Sequence, residues 1–295
     1  MIKCYCNILS FLISFLLISS FVLALCPDDD TYINSNTILP GGFCEIHDNN
    51  ERGVLILNSS DIVLDCNGTI LKGNGSGFGI NIPCYVNLKN ITVKNCKAVN
   101  YTYGIELCTT RENKIFNNYL SNVSNVAIAL VHNSSKNEIH DNVIEHAAIA
   151  GIRVYEGEDN RIYKNNITYS PDGILILNGS KGSIVDDSRG YCNGNTLSEN
   201  FISECDNGIF YKGCKYGVIS NNKITKSAKY GIFLNASKEE NEIYGNDISL
   251  SNIADIQYNY EQYREKGELI APTLWWIFLV IIIVIIGLVY YFLNK

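Results

Sequence analysis

Asp186, Asp187, Arg189 and Tyr191 stand close together in the stretch from Asn178 to Gly194. Paired carboxylates beside a guanidinium and a phenol are the groups from which general acid-base chemistry is assembled. With further oxygen ligands converging on them, the two carboxylates would hold calcium. Without such ligands they describe a polar, solvated loop, which is the expectation here. Metal chemistry would need His47, His132, His140 and His146, with 11 Cys and a single Met in the chain. A third set is aromatic. Phe116, His140 and Tyr163 recur at near-equal spacing, with Ser198, Ser220 and Tyr244 at the corresponding later positions. Aligned rings can stack on sugar rings, with Arg153, Asp186, Asp187 and Arg189 as polar partners.

A repeat places these residues. A Gly or Ala followed by an alternating apolar triplet begins at Gly53, Gly79, Gly104, Ala127, Gly151, Gly173, Gly208 and Gly231, and Asp255 closes the series. The spacings are 26, 25, 23, 24, 22, 35, 23 and 24 residues. About half a period later comes Asn-x-Ile-x-x-Asn, as at Asn113 to Asn118, Asn137 to Asn142 and Asn160 to Asn165. Another apolar residue follows two positions on, for example Leu120, Ile144 and Ile167. Alternation over three residues cannot make an amphipathic helix. Gly and Asn tolerate left-handed backbone at tight corners, so each period reads as three short strands and three corners, one coil of a solenoid. Stacking puts Ile over Ile inside and Asn over Asn at one corner, so that Asn118, Asn142, Asn165, Asn200, Asn222 and Asn246 bond up the stack. At about 4.8 Å per coil, eight or nine coils make a rod of about 40 Å. On this frame His132, His140 and His146 fall at offsets of 5, 13 and 19 from Ala127, on different faces, and are not expected to meet on one ion. A second outward set, Leu55, Leu57, Leu175, Leu177, Phe210 and Phe233, is apolar. It calls for a covering loop or a protein partner.

Asp61-Ile62-Val63-Leu64-Asp65-Cys66-Asn67-Gly68, followed by Asn90-Ile91-Thr92-Val93-Lys94-Asn95-Cys96, resembles the first coils of right-handed parallel β-helix proteins. The resemblance is to the NosD-like and carbohydrate-binding/sugar-hydrolase repeat proteins and runs from about Thr31 to Tyr258. It implies an all-β, single-stranded, pectin-lyase-like solenoid. It does not imply one function, because this architecture carries lyases, hydrolases, epimerases, adhesins and accessory factors. The calcium-binding acids with an Arg or Lys base of pectate-lyase-like members are not found, nor is the Asp, His-Gly and Arg-x-Lys set of polygalacturonase-like ones. The resemblance also raises copper. With scattered histidines and one Met, copper is not expected, and no resident cofactor is, calcium at Asp186 and Asp187 being left open.

On the frame of the family, Cys26 and Cys44 flank an N-terminal cap. Cys66 and Cys96 share a corner of adjacent coils, Cys84 and Cys108 fall early in theirs, and Cys192 and Cys214 occupy corresponding turns. Four disulfides follow as expectations, with Cys205 left over. Ten sequons, at Asn58, Asn67, Asn74, Asn90, Asn100, Asn122, Asn133, Asn166, Asn178 and Asn235, are candidate glycosylation sites.

The ends of the chain suggest an exterior location. Ile8 to Ala24 is uncharged, follows Lys3 and precedes Asp28, Asp29 and Asp30, the pattern of a secretory signal. Leu274 to Leu293 carries no charge, with Trp275 and Trp276 at its start and Tyr290 and Tyr291 near its end, as in a single membrane span with an aromatic belt. The expected organisation is a signal (1–24), a cap (25–52), the β-helix (53–258), a linker (259–272) and the span (273–293), with the β-helix outside the cell membrane. With 23 Lys and Arg against 30 Asp and Glu, net charge −7, and no basic block, nucleic acid is excluded as a partner. The expected function is glycan binding, or adhesion to a surface protein, without catalysis. The alternatives are a polysaccharide lyase or glycoside hydrolase with its site at the 178–194 insertion, and a NosD-like accessory factor of a membrane enzyme complex.

Overall fold

Each period of the chain lays down three strands in turn, and each strand pairs with its counterpart one period on. The first coil is Thr31–Ile33, Thr37–Ile38 and Phe43–Glu45; the second is Leu55–Leu57, Val63–Asp65 and Ile70–Lys72. Repetition builds three parallel sheets of 10, 9 and 9 strands, about nine coils. The computed structural model describes residues 26–178, 192–235 and 240–258, all of them in the first of the two units into which the chain divides after Asn259. The expected signal, linker and membrane span therefore lie outside the described residues. Among those residues, no helix is long and apolar enough to cross a membrane. The segment read as a cap, 25–52, holds the whole first coil.

Inside, apolar residues stack in register. Ile80, Ile105, Ile128, Ile152, Ile174, Ile209 and Ile232 form one column of the first sheet and are fully buried. Leu64, Val93, Ile115, Ile139, Ile162, Leu197 and Ile219 do the same in the second. Each buried Ile or Leu contributes about 1.5–3 kcal/mol relative to exposure, which is how strands of three residues persist. The register also corrects the sequence reading at one coil. Leu55 pairs with Ile80 and Ile56 with Asn81, so Leu55 and Leu57 face inward and Ile56 faces outward, one residue off the triplet pattern.

The corner asparagines bond up the stack. Asn118 Nδ2 donates to Asn142 Oδ1 at 3.0 Å, Asn142 to Asn165 at 2.9 Å, Asn165 to Asn200 at 3.0 Å, Asn200 to Asn222 at 2.9 Å and Asn222 to Asn246 at 2.9 Å. A second ladder, not anticipated, runs through Asn113, Asn137, Asn160 and Asn195 at 2.8–3.1 Å. Its signal was the opening Asn of the same motif. The left-handed corners themselves are held by neighbouring residues, Asn117 (φ 55°), Asp141 (φ 52°), Lys164 (φ 55°) and Asn221 (φ 55°) among them. Of the repeat glycines only Gly53 (φ 113°) has the positive φ expected of a corner, and the others have a different role. Gly173 and Gly208 are not in the left-handed region; a Cβ there would collide with Ile202 or Ile224 and with the carbonyl of the next coil's glycine.

The four expected disulfides are present: Cys26–Cys44, Cys66–Cys96, Cys84–Cys108 and Cys192–Cys214. Cys205 is free and buried.

Candidate functional site

The outer face of the second sheet carries a ring ladder. Strands Lys114–Phe116, Glu138–His140 and Arg161–Tyr163 pair so that Phe116, His140 and Tyr163 lie side by side. Phe116 and His140 stack with centroids 4.9 Å apart and planes 5° from parallel, and His140 and Tyr163 at 4.7 Å and 11°. Two attachments fix the ladder. His140 Nδ1 lies 2.7 Å from Asp141 Oδ2, and the Arg161 guanidinium lies 5.2 Å from the Tyr163 centroid while donating to Glu138 at 3.0 Å. Burial pushes the Tyr163 phenol above its ordinary value, with Glu138 adding to the shift.

Beyond Tyr163 the column changes character. Tyr163 pairs with Ser198, Ser198 with Ser220, and Ser220 with Tyr244. Two small side chains therefore separate two tyrosines that are three coils, about 14 Å, apart. Tyr244 is 55% exposed, whereas Ser220 is 5% exposed. The gap is a shallow slot with hydroxyls at its floor and a phenol at each end. At the other end of the ladder, Lys94 bonds Asp65 at 3.2 Å; the Asn95 amide, more than Lys94, holds the Asp65 carboxyl below the usual range. A cleft of about 390 Å³ opens at the nearby corner, lined by Asn67, Asn95, Asn117, Tyr119 and Asp141.

The other sequence candidates lie elsewhere. Arg153 is on the outer face of the first sheet, where it pairs between Ala129 and Leu175 and lies 5.9 Å from the Tyr103 centroid. It does not join the ring ladder. Its Nε finds no hydrogen-bond partner among the described residues. In the same column Glu106 pairs with Ala129, and burial drives its carboxyl up to about 7, partly offset by Arg153. Sequence reasoning missed Glu106, because nothing in a lone Glu marks it as buried. Around it Val126, Ala129, Ala150 and Leu175 form a second apolar cluster, with Leu177 and Phe210 against it, while Phe210 stacks on Phe233 at 4.7 Å. Asp186, Asp187 and Arg189 lie outside the described residues. All ten sequon asparagines are described, and none is buried.

Residues 42–189, half of the chain, match the family model described as right handed beta helix region. The chain belongs to the right-handed β-helix family. Residues 181–267 of the chain match a second model, periplasmic copper-binding protein (NosD), which makes it NosD-like in type. Among solved structures, the A-module of mannuronan C-5 epimerase AlgE6 from Azotobacter vinelandii superposes with a TM-score of 0.50 at 16% identity, over 76% of this chain and 71% of that one. A tailspike variant of E. coli bacteriophage HK620 in complex with a pentasaccharide gives 0.43 at 12%, over 76% and 57%. DFA-IIIase from Arthrobacter chlorophenolicus A6 in complex with DFA-III gives 0.42 at 10%, over 80% and 67%. Identities this low establish a likeness of fold alone. No curated protein sequence matches this β-helix.

The copper in the NosD description can be tested against the donors. His140 and His146 lie on strands of different sheets, each stacked on a tyrosine, and His47 follows the first coil. Cys84, Cys108 and His132 do gather, their ligand atoms within 4.8 Å of one another, but the two sulfurs are bonded to each other. A cysteine binds a metal as its thiolate, so the described residues, with this bridge oxidised, do not fit copper.

Proposed function

We propose that this β-helix is a non-catalytic glycan-binding protein whose binding face is the outer surface of the second sheet. The observation that carries the reading is the slot over Ser198 and Ser220 between Tyr163 and Tyr244. The rings of Phe116, His140 and Tyr163 cover one another, so that a sugar must use the last face of the ladder, the one toward Ser198. There the C–H face of a pyranose packs against the phenol of Tyr163, the serine hydroxyls meet its hydroxyls, and Tyr244 closes the far side. The slot has room for about two sugar units. The Phe116 and His140 rings support Tyr163 rather than contact the ligand. The same reading takes the β-helix as displayed outside the cell, held by the apolar segment 273–293; four disulfides and ten sequons on exposed or half-buried asparagines support it.

The test is a glycan array and a polysaccharide-degradation assay on the purified full-length chain. Saturable binding without product is the expected result, with Tyr163→Ala and Tyr244→Ala each weakening it about 3- to 10-fold, the worth of one aromatic contact. Phe116→Ala should weaken binding less than either. Release of unsaturated or reducing ends would replace this reading with an enzyme, and binding indifferent to both tyrosines would move the site off the second sheet.

A further inference from the structure

The corner at which the third sheet turns back to the first carries paired charges through two successive turns. Lys226 bonds Glu204 at 2.9 Å and Lys229 bonds Asp206 at 3.0 Å, so each ammonium closes on a carboxylate of the preceding turn. At the next turn the pattern breaks. Thr225 pairs with Ser249, so Leu250 takes the place of Lys226. The Ile253 N–H donates to the Lys229 carbonyl at 2.9 Å, so Ile253 takes the place of Lys229. Leu250 is 70% and Ile253 61% exposed, and Ile256, although it pairs with the buried Ile232, is 37% exposed. A single exposed leucine is ordinary. Here three of the five large exposed aliphatic side chains among the described residues, the others being Ile38 and Ile149, fall within seven positions. Leu250 also sits at a left-handed corner (φ 60°) that Asn100 and Asn122 hold on earlier coils, so an aliphatic side chain stands exposed where Asn is tolerated more easily.

The chain that follows and the charge of the turn decide what covers it. Fifteen residues, 259–273, join Tyr258 to the uncharged run Leu274 to Leu293, at most about 50 Å of extended chain. Glu242, Asp247 and Asp255 are exposed on the last strands, while Lys226 and Lys229 are already paired. A second copy stacked end to end would therefore bring like charges together, and so would an anionic lipid surface. Zwitterionic headgroups carry no such penalty. We propose that the last turn of the β-helix docks on the surface of a bilayer of zwitterionic lipid through Leu250, Ile253 and Ile256. This rests on the reading that segment 273–293 is held in a membrane. The aliphatic side chains enter the boundary between headgroups and acyl chains. Glu242–Tyr244, Asp247–Ser249 and Ala254–Tyr258 are the final strands of the three sheets among the described residues. Their free edges need water or headgroup partners, which keeps the turn out of the hydrocarbon. The second sheet takes no part in this corner, so docking leaves the proposed glycan face clear of lipid.

The experiment uses the full-length chain reconstituted into phosphatidylcholine vesicles, with Trp275→Phe and Trp276→Phe removing the two native tryptophans. Leu250→Trp and, separately, Ile253→Trp place a reporter on the last turn. Tyr85→Trp, at an exposed position near the other end of the solenoid, is the control. Brominated phosphatidylcholine quenches a tryptophan only where it reaches the lipid. Both reporters should be quenched at least about threefold more than the control, and replacing a third of the lipid with phosphatidylglycerol at low salt should reduce that quenching at least about twofold. A chain that floats with the vesicles but shows control-level quenching at both reporters overturns the docking and leaves the anchor standing. Failure to float overturns both. Quenching indifferent to phosphatidylglycerol overturns the choice of zwitterionic lipid. Reporters that are blue-shifted but unquenched, in chains that cross-link as dimers, give the turn to a second copy and overturn the proposal. None of these readouts depends on the glycan face.

Discussion

Asn142 Oδ1 accepts from the backbone N–H of Asn118 at 3.0 Å and from its side-chain amide at 3.0 Å, while Asn142 Nδ2 donates to the Ile115 carbonyl at 2.9 Å and to Asn165 Oδ1. The residue is 1% exposed, so Asn142→Ala strands buried polar groups on both neighbouring coils. The expected loss is about 3 kcal/mol, read as a lower urea midpoint, against under about 0.5 kcal/mol for exposed Asn166→Ala. Glu106 makes a prediction in pH. Its folded carboxyl titrates near 7 because burial disfavours the charge, whereas in the unfolded chain it titrates near the ordinary value of about 4.3. Between these values the folded state holds the extra proton, so stability falls as pH rises from about 4 to 7 and then levels off. Glu106→Gln should therefore stabilise the protein by about 1–3 kcal/mol at pH 8 and leave it unchanged at pH 4, measured by denaturant unfolding at both.

A coil is three strands that are individually too short to fold, so its stability lies in what crosses to the next coil. Cys66–Cys96 ties adjacent coils across a sequence separation of 30. Replacing both with Ala should cost about 3 kcal/mol, because the unfolded chain regains the entropy of that loop, and the shift is readable by calorimetry. Gly208→Ala tests packing instead of backbone freedom. The added methyl meets Ile224 and the Gly231 carbonyl, and overpacking of this kind costs about 1–3 kcal/mol. The element scale is where the repeat was most legible, since Ile, Gly and Asn recur at fixed offsets. It failed at Leu55, where a run of four apolar residues, Val54 to Leu57, carries no mark of which two face inward. Pairing with Ile80 settled that.

Across the whole molecule the coils are nearly interchangeable, each held by its neighbours. Asn113 and Asn137 occupy equivalent places one period apart, so deletion of residues 113–136 joins equivalent points. The shortened chain should fold with its strand content kept and its length reduced by about 5 Å, as measured by small-angle scattering, whereas deletion of 113–124 puts a strand where a corner belongs and should unfold it. Because Tyr163, Ser198, Ser220 and Tyr244 lie outside the deletion, the shortened protein keeps the face proposed to bind glycan, which can be assayed.

The period by itself determined the solenoid and the ladder through Asn118 to Asn246, because in a repeat one coil's contacts are every coil's contacts and sequence offset stands in for distance; the four disulfide pairs were expectations on the family's frame that the structure bears out. The tertiary structure alone decided what depends on individual side chains. It brought Phe116, His140 and Tyr163 into one stack yet put Arg153 on another sheet, left a two-serine gap before Tyr244, buried Glu106 on an outer face, and set His132 against Cys84–Cys108. These are properties of outward positions, where no core pattern constrains residue type and only stacking of successive coils determines which side chains meet.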